Sequence, residues 1–122
     1  MKKSEVDSLF DEIEFTDNFK GNQDYTILQT FYHTGIRLSE LVGLNVEDVN
    51  LRLKEMKVTG KRNKQRIIPF GSELAGTLQT FIEARCLQIG VAQGPLFVTS
   101  KGSRLGNRQV QKIVRQKLSL VT

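Results

Sequence analysis

A chain of 122 residues with 39% hydrophobic content is one domain's worth of polypeptide, able to bury a modest core and too short for a second independent one. No apolar run approaches the roughly 18 residues that a membrane span needs, and the N-terminal MKKSEVDSLF turns acidic where a secretory leader would be apolar, so a soluble, cytoplasmic chain is expected. Charge divides the chain: residues 1–50 carry 4 Lys/Arg against 10 Asp/Glu and residues 51–122 carry 14 against 3, so a polyanion is the expected partner of the second half.

The elements follow from periodicity. Val6, Leu9, Phe10 and Ile13 keep the i, i+3, i+4, i+7 spacing of an amphipathic helix, with Ser4 as its N-cap. EFTDNFKGN then reads as a polar loop. A second helix is predicted from about Asp24 to His33, with Ile27, Leu28 and Phe31 facing inward and Gly35 stopping it. Arg37 follows that break directly. Leu38, Leu41 and Val42 form a third, short apolar face, and NVEDVN gives another helical turn capped by Asn45.

The period changes after Leu51. Met56 and Val58 alternate with polar residues, and Ile68 and Phe70 do the same beyond the polar tip GKRNKQ, which is the pattern of a hairpin. Pro69 confines the second strand to an edge, or marks its end. Gly71 or Ser72 caps a long helix with Leu74, Leu78, Phe81 and Ile82 on one face; Cys86, the only cysteine, lies in the same pattern and reads as a small buried residue. GPLFVTSKGSRLGN is a loop with an extended piece at Leu96–Val98, and Asn107 caps a last helix carrying Val110, Ile113 and Val114 on one side. The expected fold is α+β and mainly helical, about five helices with a small antiparallel hairpin sheet.

The positive charge of the second half falls into two clusters. Arg52, Lys54, Lys57, Lys61, Arg62, Lys64 and Arg66 surround the hairpin; Lys101, Arg104, Arg108, Lys112, Arg115 and Lys117 cover the last loop and helix with no acid among them. A solvated basic face explains either cluster alone, whereas two confined to one half favour nucleic acid, and charge by itself does not separate DNA from RNA. Nucleotide chemistry has no support, because GKRNK lacks the upstream glycine of a phosphate-binding loop and no G-x-G-x-x-G follows a strand. His33 is the only histidine, so a multi-histidine metal centre is excluded, and the acids of the first half show no ligand spacing. No metal and no cofactor are expected.

TGIRLSELVGLNVEDVN, followed 24 residues after its arginine by the lysine of VTGKRNKQRIIPF, resembles the catalytic domain of the tyrosine recombinases, the phage integrase and Xer family. The resemblance covers the whole chain in the family's order. It takes in the SEVDSLFDEI helix, FYHTGIRLSEL, the hairpin lysine, ELAGTLQTFIEA, PLFVTSKGSRLGNRQV and the last helix.

What the resemblance implies is strand exchange on double-stranded DNA without metal or nucleotide: a tyrosine attacks the scissile phosphate, forms a 3′-phosphotyrosyl link and frees a 5′-hydroxyl. Arg37 matches the family's first catalytic arginine, a planar fork for the non-bridging phosphate oxygens. Lys61 matches the hairpin lysine that protonates the leaving 5′-oxygen, with Lys64 its nearest competitor. Arg62, Lys64, Arg66, Lys101, Arg104, Arg108, Lys112 and Arg115 are the expected DNA contacts. The residues alone leave other roles open: Arg37 as the partner of Glu40 one turn on, and Lys61 as a tip charge.

The family's His-x-x-Arg box, second histidine or tryptophan and C-terminal nucleophilic tyrosine find no match. Tyr25 and Tyr32 fall in the second predicted helix and read as packing residues, and His33 precedes Arg37 with Ile36 where the box would need an arginine. Residues 1–122 are therefore expected to be the N-terminal portion of a catalytic domain, without the helical domain that clamps the far face of DNA. Two functional readings follow: part of a DNA-cleaving recombinase, assembled with other protomers in its full-length form, or a truncated module that binds DNA without cutting it.

Overall fold

The computed structural model describes residue 13 and residues 15–119. The predicted opening helix, with Val6, Leu9 and Phe10, lies outside the described residues. The first described helix, α1 (Phe19–Thr34), begins five residues before the expected Asp24 because Asn18 caps it: its side chain accepts the Gly21 N–H at 2.9 Å. Gly21 admits a close approach that no side chain would allow, since a Cβ there would meet the Thr16 carbonyl oxygen at 1.7 Å. Inside α1, Thr26, Thr30 and Thr34 each donate a hydroxyl to the carbonyl four residues back, so three polar side chains are satisfied by their own helix. Gly35 ends it as expected, at φ 65°, with its N–H on the Phe31 carbonyl.

A short helix, α2 (Leu38–Val42), follows, then a 3-10 turn (Val46–Asp48) where one further helical turn was expected. That turn runs straight into β1 (Val49–Asn50), a strand that periodicity did not announce because it is two residues long. β2 (Glu55–Thr59) and β3 (Gln65–Pro69) form the predicted hairpin, and the antiparallel order is β1-β2-β3, with Met56 opposite Ile68 and Val58 opposite Arg66. β3 is an edge strand and Pro69 its last residue, so the missing N–H interrupts no ladder.

α3 (Ser72–Ile89) packs on α1, and α4 (Asn107–Ser119) packs on α1 and α2. The core joins Ile27, Leu41, Met56, Val58, Leu74, Leu78, Phe81, Phe97 and Val110; the Phe81 ring lies 5.6 Å from Phe19 and 5.3 Å from Phe97. Asn107 is the first residue of α4, not its cap. Gly106 fills that place, its carbonyl accepting from Val110 and its N–H donating to the Gln109 side chain. Cys86 is half-buried, less enclosed than expected. The described residues thus give four α-helices and a three-stranded sheet, with the hairpin at its edge.

The stretch between α3 and α4 has little regular structure, and side chains hold it. The Gln23 amide brackets Val98, donating to its carbonyl and accepting from its N–H, each at 2.8 Å. Arg85, 1% exposed, donates to the carbonyls of Val91, Gln93 and Pro95. Arg85→Met keeps the volume but leaves those carbonyls without a donor, so urea unfolding is expected to show a loss of about 2–3 kcal/mol. A loss under about 0.5 kcal/mol, the range of ordinary surface substitutions, would show that Arg85 does not hold this segment.

Candidate active site and nucleic-acid interface

Arg37 is the N-cap of α2, in extended backbone (φ −78°, ψ 152°) between the buried Ile36 and the helix. Its carbonyl accepts the Leu41 N–H at 2.9 Å, and its own N–H donates to Glu40 Oε1 at 3.0 Å. The guanidinium is exposed and forms no ion pair among the described residues. The salt bridge to Glu40 that the spacing allowed is not formed. Glu40 holds the Arg37 backbone, and a different arginine holds Glu40.

That arginine is Arg66, on β3. Its Nε lies 3.0 Å from Glu40 Oε2 and its NH2 2.8 Å from Oε1, a side-on bidentate pair. The Glu40 side chain is 1% exposed and that of Arg66 46%. Arg66 above all, then the Arg37 N–H, holds the Glu40 carboxyl below its ordinary range against the opposing cost of burial, and the same pair holds the Arg66 guanidinium above its own. Glu40 also lies near the neck of the hairpin, where a Cβ added to Gly60 would come within 3.6 Å of its Oε2. Lys61 is the next residue.

The hairpin tip is a 3-10 turn (Lys61–Asn63) closed by Gly60 N–H to Lys64 O at 2.7 Å and Lys64 N–H to Lys61 O at 3.2 Å. Arg62 and Asn63 adopt left-handed backbone at φ 59° and 57°, which turns the chain within three residues. Lys61, Arg62 and Lys64 are exposed, and no side-chain hydrogen bond or ion pair ties any of them to the rest of the described residues.

The second basic cluster divides. Arg108, Lys112 and Arg115 are exposed on α4, whose other face buries Val110, and Lys101 is exposed in the preceding turn. Arg104 is engaged internally: NH1 donates to the carbonyls of Val42 at 2.8 Å and Leu44 at 2.9 Å, and NH2 to the Asn45 side chain. It thereby fastens the C-terminal end of α2, the helix that Arg37 begins.

Sequence reasoning missed the anchoring roles of Glu40, Arg85 and Glu47, whose carboxylate accepts the Gly94 N–H at 2.8 Å and is held below its ordinary range mainly by that bond. His33 pairs with Gln29 at 2.9 Å as a helix-end residue, and the Tyr25 ring packs edge-on to Phe15. Among the described residues no group of three or more His, Cys, Asp or Glu could hold a metal ion, and no helix is long and apolar enough to cross a membrane.

An arginine at the start of a short helix, braced by a buried glutamate to a hairpin with a lysine at its tip, is an arrangement that can be compared with known proteins. The phage integrase family matches residues 1–120. The chain belongs to that family. Among its relatives, the tyrosine recombinase XerC of Thermodesulfovibrio yellowstonii is 37% identical over 118 residues, covering 91% of this chain and 39% of that protein. XerC of Stutzerimonas stutzeri is 44% identical over 100 residues, covering 82% and 33%. The chain therefore spans well under half the length of the curated relatives it matches.

Solved recombinase structures share the fold. The XerA recombinase crystal structure superposes with a TM-score of 0.80 at 21% identity, over 98% of this chain and 42% of that one. The XerH site-specific recombinase bound to its difH substrate, a pre-cleavage complex, gives 0.72 at 20% identity over 96% and 36%.

The Glu40 pair has a pH signature. A carboxyl whose pKa is depressed on folding stabilises the fold above its unfolded value, near 4.5, and that stability is lost as pH falls through the folded value. Glu40→Gln is expected to lower stability at pH 7 by roughly 1–2 kcal/mol, a charge-assisted bond discounted for the exposure of Arg66. The gap to the parent chain should begin to narrow as pH falls below about 4.5 and close only once pH has dropped through the lower folded-state value, where both chains carry a neutral side chain. Urea midpoints across pH 3–7 measure it; a gap that is constant with pH would contradict the pair's role.

Proposed function

We propose that this chain is part of a site-specific DNA recombinase that cleaves and rejoins double-stranded DNA through a 3′-phosphotyrosyl intermediate. The observation that carries the reading is the brace itself: the exposed Arg37 guanidinium and the exposed Lys61 tip belong to elements that meet at one buried carboxylate, Glu40. The family relatives named as tyrosine recombinases and the DNA-bound XerH structure support it.

In this reading Arg37 presents its fork to the non-bridging oxygens of the scissile phosphate and stabilises the charge that grows in the pentavalent transition state. The tyrosine–phosphorus bond forms as the phosphorus–O5′ bond breaks, and Lys61 gives its proton to the departing O5′. Arg62, Lys64, Lys101, Arg108, Lys112 and Arg115 hold phosphates of the surrounding duplex. Tyr25 packs against Phe15, whereas Tyr32 is exposed on α1 beside His33, against the expectation that both are packing residues; in this reading neither is the nucleophile, which comes from outside these 122 residues, and other protomers complete the assembly. The chain by itself binds duplex DNA without cutting it.

Two readouts test this. Duplex affinity of the chain should fall steeply with salt, with log K dropping by roughly 0.9 per phosphate contact for each log unit. In the longer protein, Arg37→Lys keeps the charge but loses the fork, and should lower the cleavage rate on the order of 100-fold with binding little changed. Affinity that is flat with salt, or a chain of 122 residues that forms a covalent adduct with a nicked suicide duplex, would overturn the reading.

A further inference from the structure

Arg66 was expected among the DNA contacts; the strand pleat puts it on the core-facing side of the hairpin, at the rim, where its side chain stays 46% exposed. It sits opposite Val58, so its side chain leaves the sheet on the face that carries the buried Met56, Val58 and Ile68, not the face of Ile67 and Lys57. There the Nε and NH2 edge of the guanidinium is spent on the two oxygens of Glu40, and Glu40 Oε1 in turn receives the Arg37 N–H.

We propose that Arg66 is a positioning residue, a clamp that fixes the Lys61 hairpin to the start of α2, rather than a phosphate contact. The proposal rests on the reading that Arg37 and Lys61 act on one phosphodiester. Its physical basis is that the carboxylate has no solvent to fall back on. With the side chain of Glu40 1% exposed, releasing Arg66 leaves a buried anion with a single backbone donor, so the two elements separate only at substantial cost. The hairpin tip therefore keeps its place relative to the arginine turn before any DNA is bound. A lysine at 66 would supply the charge but could not span both oxygens.

Amide hydrogen exchange, with duplex binding alongside, tests the clamp on this chain as it stands. In Arg66→Gln the Arg37 amide should exchange about tenfold faster, as expected for loss of an ordered acceptor, while the Gly35 and Leu96 amides, bonded to the carbonyls of Phe31 and Leu44, keep their rates. Arg66→Lys should accelerate Arg37 as well, and serves as the test variant should Arg66→Gln lose the reference protection. The salt slope of DNA binding should be unchanged in Arg66→Gln and smaller by roughly 0.9 in Lys64→Gln. An unchanged Arg37 exchange rate, or a salt slope that falls for Arg66→Gln as it does for Lys64→Gln, would overturn the proposal. If the chain binds no DNA at all, the recombinase reading fails while the exchange rates still decide the clamp.

Discussion

A buried carboxylate governs the arrangement of this chain. Glu40 has almost no solvent exposure, and a charge in that position is tolerable only if each oxygen is engaged. One oxygen receives the backbone of the first turn of α2 and both receive the fork of an arginine from the sheet, so the requirement to satisfy one anion ties two elements of distant sequence position. The exposed side chains of those elements, Arg37 and Lys61, form no ion pair among the described residues.

The same device recurs where regular structure is thin. Arg85 gathers three carbonyls of the loop after α3, Arg104 secures the end of α2, and Gln23 brackets Val98. Each replaces a backbone ladder that an irregular segment cannot build for itself. The basic residues divide accordingly: guanidinium edges that meet carbonyls or a carboxylate shape the scaffold, and Lys61, Arg62, Lys64, Arg108, Lys112 and Arg115 are exposed with no ion pair among the described residues.

Much of this was legible in the residues, and the failures have physical causes. Alternation at Met56, Val58 and Ile68 located the hairpin, and Gly35 located the end of α1, because both signals are local. The start of α1 was placed late because Gly21 weakens a helical reading, and only the packed structure shows the close contact with Thr16 that calls for glycine there. Arg37 and Lys61 were singled out by their surrounding motifs, and both are exposed. Arg66 and Arg104 lie at the surface, as charge clustering suggested, but clustering says nothing of direction, so their bonds to Glu40 and to the carbonyls of Val42 and Leu44 were not legible; strand parity with Ile68 was the available signal for Arg66. Arg85, on the face of Leu74, Leu78 and Phe81, carried a similar signal: an arginine on an apolar helical stripe needs buried acceptors.

In the proposed mechanism Arg37 stabilises the phosphate while Lys61 protonates the leaving oxygen, two roles that a single substrate change separates. The decisive measurement is the cleavage rate of a full-length recombinase carrying these 122 residues, on a duplex with sulfur in the bridging 5′ position, whose leaving group needs no proton. Lys61→Ala should be slow on ordinary DNA and regain its rate on the sulfur substrate, while Arg37→Lys should stay impaired on both. Equal failure of the two variants on the sulfur substrate would contradict the account, leaving Lys61 as a phosphate contact and the proton donor elsewhere.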